Sequence, residues 1–311
     1  MRALILHGPG DLRLEDVPDP NPGEGEVLLQ VEVALTDGTD LKAYRRGHPV
    51  LLGPLPSPFG HEVCGVDVAT GRRVVVANSA PCGACRACAR GQETLCEHLF
   101  PLLNGGYAEL LLVPERIARR NLLPVPPGLA PELAAMAEPL ACCLHGIERA
   151  EVGAGQTVAV LGPGPIGLML CAAARDAGAN LIAVGGRPER RALASQFGAS
   201  PGDGKGADVV IEAVGSEEAW HDALELVRPG GTVLFFGGRE TSVDIFRLHY
   251  EELTLRGAFH HTPAKVRAAL AFLASGAHPW HRLITHEVGL DSVATLLADP
   301  PPDYLKAAVY P

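Results

Sequence analysis

Four cysteines fall within one short segment of the chain, with the spacing C-x2-C-x2-C-x7-C. Four thiolates at this spacing can complete the tetrahedral ligand shell of a zinc ion and leave no position for water, which is the arrangement of a structural site. Free cysteines in a loop are one alternative, and a nucleic-acid-binding zinc finger is another that the net charge of −10 disfavours. We therefore predict a structural zinc held by Cys82, Cys85, Cys88 and Cys96.

A glycine-rich loop follows the apolar run 158–161 and precedes a segment, 166–177, whose pattern is compatible with a helix. In such a unit the first glycine permits a tight turn, the second lets the backbone approach a pyrophosphate, and the third lets helix and strand pack closely. The helix N-terminus faces the negative charge of the phosphates. A loop without a ligand is the alternative. We predict that a dinucleotide binds at Gly162, Gly164, Pro165, Ile166 and Gly167.

The next predicted strand lies in the sequence LIAVGGRPERR, which bears on the choice between the two nicotinamide dinucleotides. An NAD site usually carries a carboxylate at the strand end to bind the ribose 2′-hydroxyl, but glycines occupy it here. The nearby arginines suit the 2′-phosphate of NADP. A solvated helix face is the alternative for Arg190 and Arg191. We predict that NADP(H) is preferred, with NAD as the second choice, and that Gly186, Arg187 and Arg191 bind it.

The length of 311 residues and an apolar content of 47% predict two domains with sizeable cores. Residues 1–113 show the alternating pattern and the Gly/Pro turns of a β-rich domain, whereas strand and helix patterns alternate over 157–259. This alternation predicts a doubly wound parallel sheet, so the fold class is α/β with a β-rich domain. About nine residues, 199–207, precede the third strand pattern, and a crossover needs about a dozen. We expect the edge strand there to be reduced or missing.

Composition also limits the partners and the location of the protein. The sequence contains neither an apolar run long enough to span a membrane nor the features of an N-terminal signal peptide. Eight cysteines in such a chain indicate thiols or metal ligands rather than disulfides. The acidic charge argues against a nucleic-acid surface. We expect a cytoplasmic protein with no membrane and no nucleic-acid partner.

Several short motifs occur in order along the chain: DGTD at 37–40, GHE at 60–62, the four-cysteine segment, GGYAE at 105–109, AEPL at 137–140 and GPGPIG at 162–167. Together they resemble the zinc-dependent medium-chain dehydrogenase/reductase family of alcohol, polyol and sugar dehydrogenases, over nearly the whole chain. The resemblance implies a GroES-like catalytic domain and a Rossmann dinucleotide-binding domain, with the active site in the cleft between them. We assign 1–135 to the first, with 265–311 returning to it, and 136–264 to the second.

The resemblance also implies a catalytic zinc. In the family it is held by a residue of the CGTD segment, the His of GHE, and an acid in EPL or GHE. These positions correspond to Asp37, His61, Glu62 and Glu138 here, and Asp37 stands where the family has cysteine. Carboxylates are zinc ligands, but a hard oxygen in place of a thiolate should weaken zinc affinity and selectivity. The same exchange is similar to that in certain halophilic glucose dehydrogenases.

Each of these acids has an alternative structural role. Asp37 or Thr39 could simply cap the short helix DLKAYRR, and Glu138 could be an acid in the first turn of the helix that follows it. In the family reading, Thr39 matches a hydroxyl that hydrogen-bonds the substrate oxygen, and Asp40 orients His61 by accepting its second N–H. The zinc would polarise the alcohol oxygen, and hydride would pass to the nicotinamide.

The implied reaction is the oxidation of an alcohol, with a sugar or polyol favoured because Asp37 and Glu138 resemble that branch of the family. A zinc-free quinone or enoyl reductase-like enzyme is one alternative. A non-catalytic nucleotide-binding protein with a degenerate metal site is another. The family forms dimers and tetramers, so we expect a homo-oligomer, for which residues 243–257 could supply the contact.

Overall fold

A computed structural model describes residues 1–48, 50–238, 240 and 242–311 of the chain. The chain divides into two compact units. The first comprises Met1–Pro139 and His261–Pro311, and the second comprises Leu140–His260. Among the described residues, no helix has both the length and the apolar character that crossing a bilayer requires.

The strands follow one another along the chain as β1 Arg2–Gly8, β2 Asp11–Asp16, β3 Val27–Leu35, β4 Ser57–Pro58, β5 Glu62–Asp67, β6 Arg73–Val76, β7 Leu110–Val113, β8 Leu122–Pro124, β9 Thr157–Leu161, β10 Asn180–Val184, β11 Ala207–Glu212, β12 Val227–Phe235, β13 Thr254–Gly257, β14 Ile284–Gly289 and β15 Lys306–Tyr310. The helices are α1 Gly38–Arg46, α2 Arg86–Ala89, α3 Glu115–Asn121, α4 Pro131–Ala135, α5 Ala137–Arg149, α6 Pro165–Asp176, α7 Pro188–Gln196, α8 Glu217–Leu226, α9 Ile245–Tyr250, α10 Pro263–Ala274 and α11 Val293–Ala298.

The first unit is built around strand β3, which lies inside a sheet of order β14-β15-β3-β5-β6-β8 and also pairs with β7. Its sequence, VLLQVEVAL, contributes the buried residues Leu29, Val31 and Leu35. Strand β15 from the C-terminus pairs antiparallel with β3, aligning Ala308 with Leu35. This pairing brings the last residues of the chain beside the segment that follows β3.

The second unit contains a parallel sheet of order β10-β9-β11-β12-β13, with helices in the connections. Its core is mostly apolar: β9 buries four of its five residues, as a strand covered on both faces does, and α6 buries eight of its twelve. The expected α/β fold class, a parallel sheet with helical connections and a separate β-rich unit, is therefore confirmed.

The prediction that this edge strand is reduced or missing is also confirmed. In the described part of the chain, the expected third strand is reduced to one isolated bridge between Ser200 and Ile182. The loop that replaces it packs directly on the sheet: a Cβ at Gly202 would lie 3.0 Å from Ile182, and one at Gly204 would lie 2.7 Å from Val184. A short loop with little side-chain bulk can cover the sheet here, where a crossover helix would need more residues.

Candidate functional site

The four cysteines form one cluster in the first unit, with their sulfur atoms within 4.8 Å of one another. Backbone amides surround the sulfurs: Cys82 Sγ accepts from the N–H of Ala84 and Cys85, and Cys96 Sγ accepts from those of Cys82 and His98. These amide donors lower the pKa of Cys82, because they stabilise the thiolate. The cluster thus has the ligand set and the charge-stabilising backbone that a tetrahedral zinc–thiolate site needs.

The glycine loop in the second unit has the geometry of a phosphate loop. A Cβ at Gly167 would lie 1.9 Å from the carbonyl oxygen of Gly162, so only glycine permits this contact between helix and strand end. At Gly164, by contrast, no atom of the described residues other than its two chain neighbours lies within 4 Å of the Cβ position, which leaves the backbone accessible. Gly164 is the N-cap of α6 and Pro165 occupies the first turn. The amide groups at this helix start can therefore bind an anion.

The turn after β10 carries the residues predicted to bind the 2′-phosphate. Gly185 and Gly186 have φ of 77° and 72°, and Arg187 is the N-cap of α7. Arg191 Nη1 donates to the carbonyl oxygen of Gly186 at 2.6 Å, so this side chain holds the turn. Burial, and to a smaller extent the positive charge of Arg187, lower the pKa of Arg190. The turn therefore carries a concentration of positive charge that suits an anion.

Asp37, His61 and Glu62 each offer a ligand atom within 4.8 Å of the others, and all three are buried in the first unit. Asp37 caps α1 with one oxygen, because its Oδ1 accepts the Asp40 N–H at 2.7 Å. Its other oxygen, Oδ2, lies 4.0 Å from His61 Nε2. The capping role and the ligand role of Asp37 are therefore compatible, since they use different oxygens.

Asp40 fixes the other side of the His61 ring. Its Oδ1 lies 3.3 Å from His61 Nδ1, while Oδ2 accepts hydrogen bonds from the Asp37 N–H and from the hydroxyl of Tyr107. Burial alone would lower the pKa of His61, but the charges of Asp40, Asp37 and Glu138 raise it to about 10. Nδ1 is thus directed at Asp40, and Nε2 at the side of the ring where Asp37 lies, as in a metal-binding histidine.

Glu62 has a partner that the sequence did not reveal. Lys306 Nζ, at the start of β15, donates to both carboxylate oxygens of Glu62 at 2.6 Å and to the carbonyl oxygen of Thr36 at 3.1 Å. Burial raises the pKa of Glu62 to about 8, even though Lys306 opposes the shift. A lysine in the short apolar strand KAAVY was the available signal, because buried lysines are rare unless they are paired.

Glu138 lies in the first turn of α5 and is also buried in the first unit. Its charge contributes to the raised pKa of both His61 and Glu62, so it acts on the same cluster. Its carboxylate oxygen Oε1 lies 3.5 Å from Nε2 of the buried His261. Burial acts to raise the pKa of Asp37, but the charges of His61 and Lys306 hold it below its ordinary value. The hydroxyl of the half-buried Thr39 adds a smaller contribution by hydrogen-bonding Asp37.

The donor atoms of this cluster test whether a cation fits. Asp37, His61 and Glu62 are buried and offer ligand atoms within 4.8 Å of one another, and the carboxylate of Glu138 is buried and acts electrostatically on His61 and Glu62. Carboxylates and one imidazole are a usable donor set for zinc. Asp37, His61, Glu138 and Glu62 are the residues that would hold it.

Comparison with known protein families gives two matches that together span most of the chain. The profile described as an alcohol dehydrogenase GroES-like domain matches residues 23–127, and the one described as a zinc-binding dehydrogenase matches residues 165–275. The first lies in the unit with the cysteine and carboxylate clusters, and the second begins at the phosphate loop.

Individual relatives are similar over almost their full length. L-galactonate-5-dehydrogenase of Escherichia coli K12 is 30% identical, covering 94% of this chain and 93% of its own. Erythritol/L-threitol dehydrogenase of Mycolicibacterium smegmatis is 33% identical, and the match covers 95% of this chain and 94% of that protein. A crystal structure of a zinc-binding dehydrogenase from Sinorhizobium meliloti 1021, bound to NADP, superimposes on this chain with a TM-score of 0.88. The two sequences are 31% identical, and the superposition covers 100% of this chain and 99% of the other.

Proposed function

This chain belongs to the zinc-dependent medium-chain dehydrogenase/reductase family, and on that premise we propose that it oxidises a hydroxyl group of a polyol or sugar with NADP⁺. It is an oxidoreductase, and the relatives named above act on a sugar acid and on tetritols. The observation that carries the proposal is the buried cluster of Asp37, His61 and Glu62, whose ligand atoms lie within 4.8 Å of one another and form a usable donor set for zinc.

The residues of the first unit have different roles in the proposed reaction. A bound zinc supplies a Lewis acid that lowers the pKa of the substrate hydroxyl. The hydroxyl of Thr39 donates its proton in a hydrogen bond to Asp37. The lone pairs of the Thr39 oxygen are then free to accept a hydrogen bond from the hydroxyl of the substrate. Asp40 keeps the His61 ring oriented, and Tyr107 keeps Asp40 oriented. Lys306 limits the negative charge that Glu62 adds to the site.

The second unit would bind the dinucleotide. Gly162, Gly164, Pro165, Ile166 and Gly167 supply the turn and the helix start for the pyrophosphate. Gly186, Arg187 and Arg191 form the turn predicted to receive the 2′-phosphate, and the exposed guanidinium of Arg187 is the best placed to bind it.

A homo-oligomer would use the edge of the second unit. Strand β13 lies at the end of the parallel sheet, and the preceding helix, α9, exposes Ile245, Phe246 and Tyr250. A second copy would cover these side chains. Light scattering coupled to gel filtration should give a dimer or tetramer, and Phe246→Asp should shift it towards the monomer; a monomeric wild-type protein would contradict this part of the proposal.

The decisive experiment is a dehydrogenase screen of polyols, aldoses and short alcohols with NADP⁺ and with NAD⁺. The metal content of the same protein is measured in parallel. We expect two zinc ions per chain and the highest kcat/KM with a polyol or sugar and NADP⁺. One zinc per chain, held by the cysteines, together with no oxidation of any alcohol, would instead support a zinc-free enzyme or a binding protein.

A further inference from the structure

His261 is a buried histidine beside the carboxylate of Glu138. Its Nε2 lies 3.5 Å from Glu138 Oε1 and 3.2 Å from Asn78 Oδ1, and all three side chains are almost fully buried in the first unit. The three residues are far apart in the sequence, so only the tertiary structure brings them together. One nitrogen thus faces two oxygen atoms.

This arrangement determines where the imidazole carries its proton. If Nε2 were unprotonated, three atoms with lone pairs would face one another inside the protein with no proton between them. A proton on Nε2 lets the ring donate to Asn78 Oδ1 at 3.2 Å, and it leaves the same nitrogen within ion-pair distance of Glu138 Oε1, at 3.5 Å. The ring therefore places an N–H between Asn78 and the Glu138 carboxylate.

Asn78 is itself held at the base of the four-cysteine segment. The main-chain carbonyl oxygen of Asn78 accepts a hydrogen bond from the Leu103 N–H at 2.7 Å. Asn78 and Leu103 flank the four-cysteine segment, so this hydrogen bond joins its two ends. The next residue, Ser79, accepts from the side chain of Asn121 at 2.5 Å. The main chain at Asn78 is therefore held in place, which limits where its side chain can present Oδ1 to the His261 ring.

We propose that His261 is a positioning residue for Glu138: its Nε2–H fixes the carboxylate that would bind the catalytic cation, and Asn78 fixes His261. Metal-binding side chains generally depend on such outer hydrogen bonds for their orientation. This inference rests on the proposed function, because it needs a metal site at Glu138. It adds a dependence of that site on Asn78, at the root of the cysteine segment.

The test measures the affinity for Zn²⁺, not only activity. Metal-stripped protein is titrated with Zn²⁺ against a chromophoric chelator, which gives a Kd for each of the two sites. Loss of an outer hydrogen-bond partner typically costs about 10- to 100-fold in metal affinity, so His261→Leu should raise the Kd of the weaker site by that factor. The tighter site, at the four cysteines, should keep its affinity, which a general loss of structure would not allow.

Two polar variants test whether His261 acts by positioning Glu138 through its N–H or only by filling space in the core. His261→Gln can place an amide N–H near the position of Nε2 and should restore much of the affinity, whereas His261→Asn is too short and should behave like His261→Leu. Asn78→Ala should weaken the same site through His261. His7→Leu is a matched control, because His7 Nε2 also contacts a carboxylate of the same unit, Glu15 Oε1 at 2.6 Å, but outside the cluster. It should leave both Kd values unchanged.

The outcomes distinguish this inference from the function on which it rests. Wild-type protein that binds two Zn²⁺, with a weaker-site Kd unchanged in His261→Leu, overturns the inference alone. Equal losses in the Gln and Asn variants also overturn it, because the reach of the N–H would then not matter. Wild-type protein that binds one Zn²⁺ per chain overturns both proposals. If His261→Leu fails to fold, the comparison of the Gln and Asn variants decides.

Discussion

Lys306 donates to both oxygens of Glu62 at 2.6 Å, and both side chains are completely buried. The pair joins the last strand of the chain to the motif that contains His61. Removing one partner of a buried pair leaves an uncompensated charge, whereas removing both can be nearly neutral. Lys306 therefore both stabilises the first unit and reduces the negative charge beside the candidate metal site.

Lys306→Met should lower the free energy of unfolding by about 3–5 kcal/mol, because Glu62 would remain buried without its cation. The double variant Lys306→Met/Glu62→Leu should recover most of that loss. Urea unfolding of the metal-stripped wild-type and variant proteins measures both changes, because Glu62 is itself a candidate zinc ligand. A double variant as unstable as the single one would show that packing of the lysine chain, rather than the charge, is what matters.

Tyr107→Phe removes the hydroxyl that donates to Asp40 and keeps the ring packed against Phe59. Hydrogen bonds to charged groups contribute about 1.5–3 kcal/mol, so we expect a loss of that size in urea unfolding. Tyr44→Phe is the control, because its hydroxyl contacts the Gly10 carbonyl oxygen at an exposed position. Equal effects of the two substitutions would refute a special role for the Tyr107–Asp40 contact.

Arg187→Ala tests the preference between the two dinucleotides. A charge-assisted hydrogen bond to the 2′-phosphate is worth about 1.5–3 kcal/mol, so KM for NADP⁺ should rise roughly tenfold or more while KM for NAD⁺ changes little. Steady-state kinetics with both cofactors checks this, with the exposed Arg149→Ala as control. Gly186 is a poor target, because a Cβ there would lie 2.6 Å from Pro163 and its φ is 72°.

Removal of zinc should expose a defined set of thiols. A strong chelator should release the structural zinc and make Cys82, Cys85, Cys88 and Cys96 reactive towards a thiol reagent. Cys171, buried in α6, should react only after unfolding. Mass spectrometry of the labelled protein identifies the modified residues. Rapid labelling of the four cysteines before chelation would argue against a metal at this site.

Cys171 also predicts a pH effect. Burial raises the pKa of its thiol to about 12, whereas an unfolded thiol loses its proton near its ordinary value of 9.0. Between these values the unfolded chain binds fewer protons, so stability falls as pH rises, by about 1.4 kcal/mol per pH unit for one thiol. Urea unfolding at pH 8 and pH 10 should show a smaller alkaline loss in Cys171→Ala. An identical loss would contradict the raised pKa.

Local features of the sequence were sufficient to predict much of this protein. The four cysteines, the glycine loop and the Asp37–Asp40 cap each depend on residues a few positions apart, whose spacing fixes the geometry. The shortness of 199–207 likewise predicted the missing strand, because chain length limits what can be built. His61 and Glu138 were placed in one site by resemblance, and their role as ligands stays a prediction.

The partners of the candidate metal ligands depend on the tertiary structure. Glu62 and Lys306 are 244 residues apart, His261 and Asn78 are 183 apart, and Tyr107 and Asp40 are 67 apart. Sequence spacing carries no information about such pairs. Sheet register decides the first of them, because the pairing of β15 with β3 sets Lys306 beside Thr36 and Glu62. The sequence determined which residues could bind a metal and a dinucleotide, and the fold determined which charges and hydrogen bonds surround them.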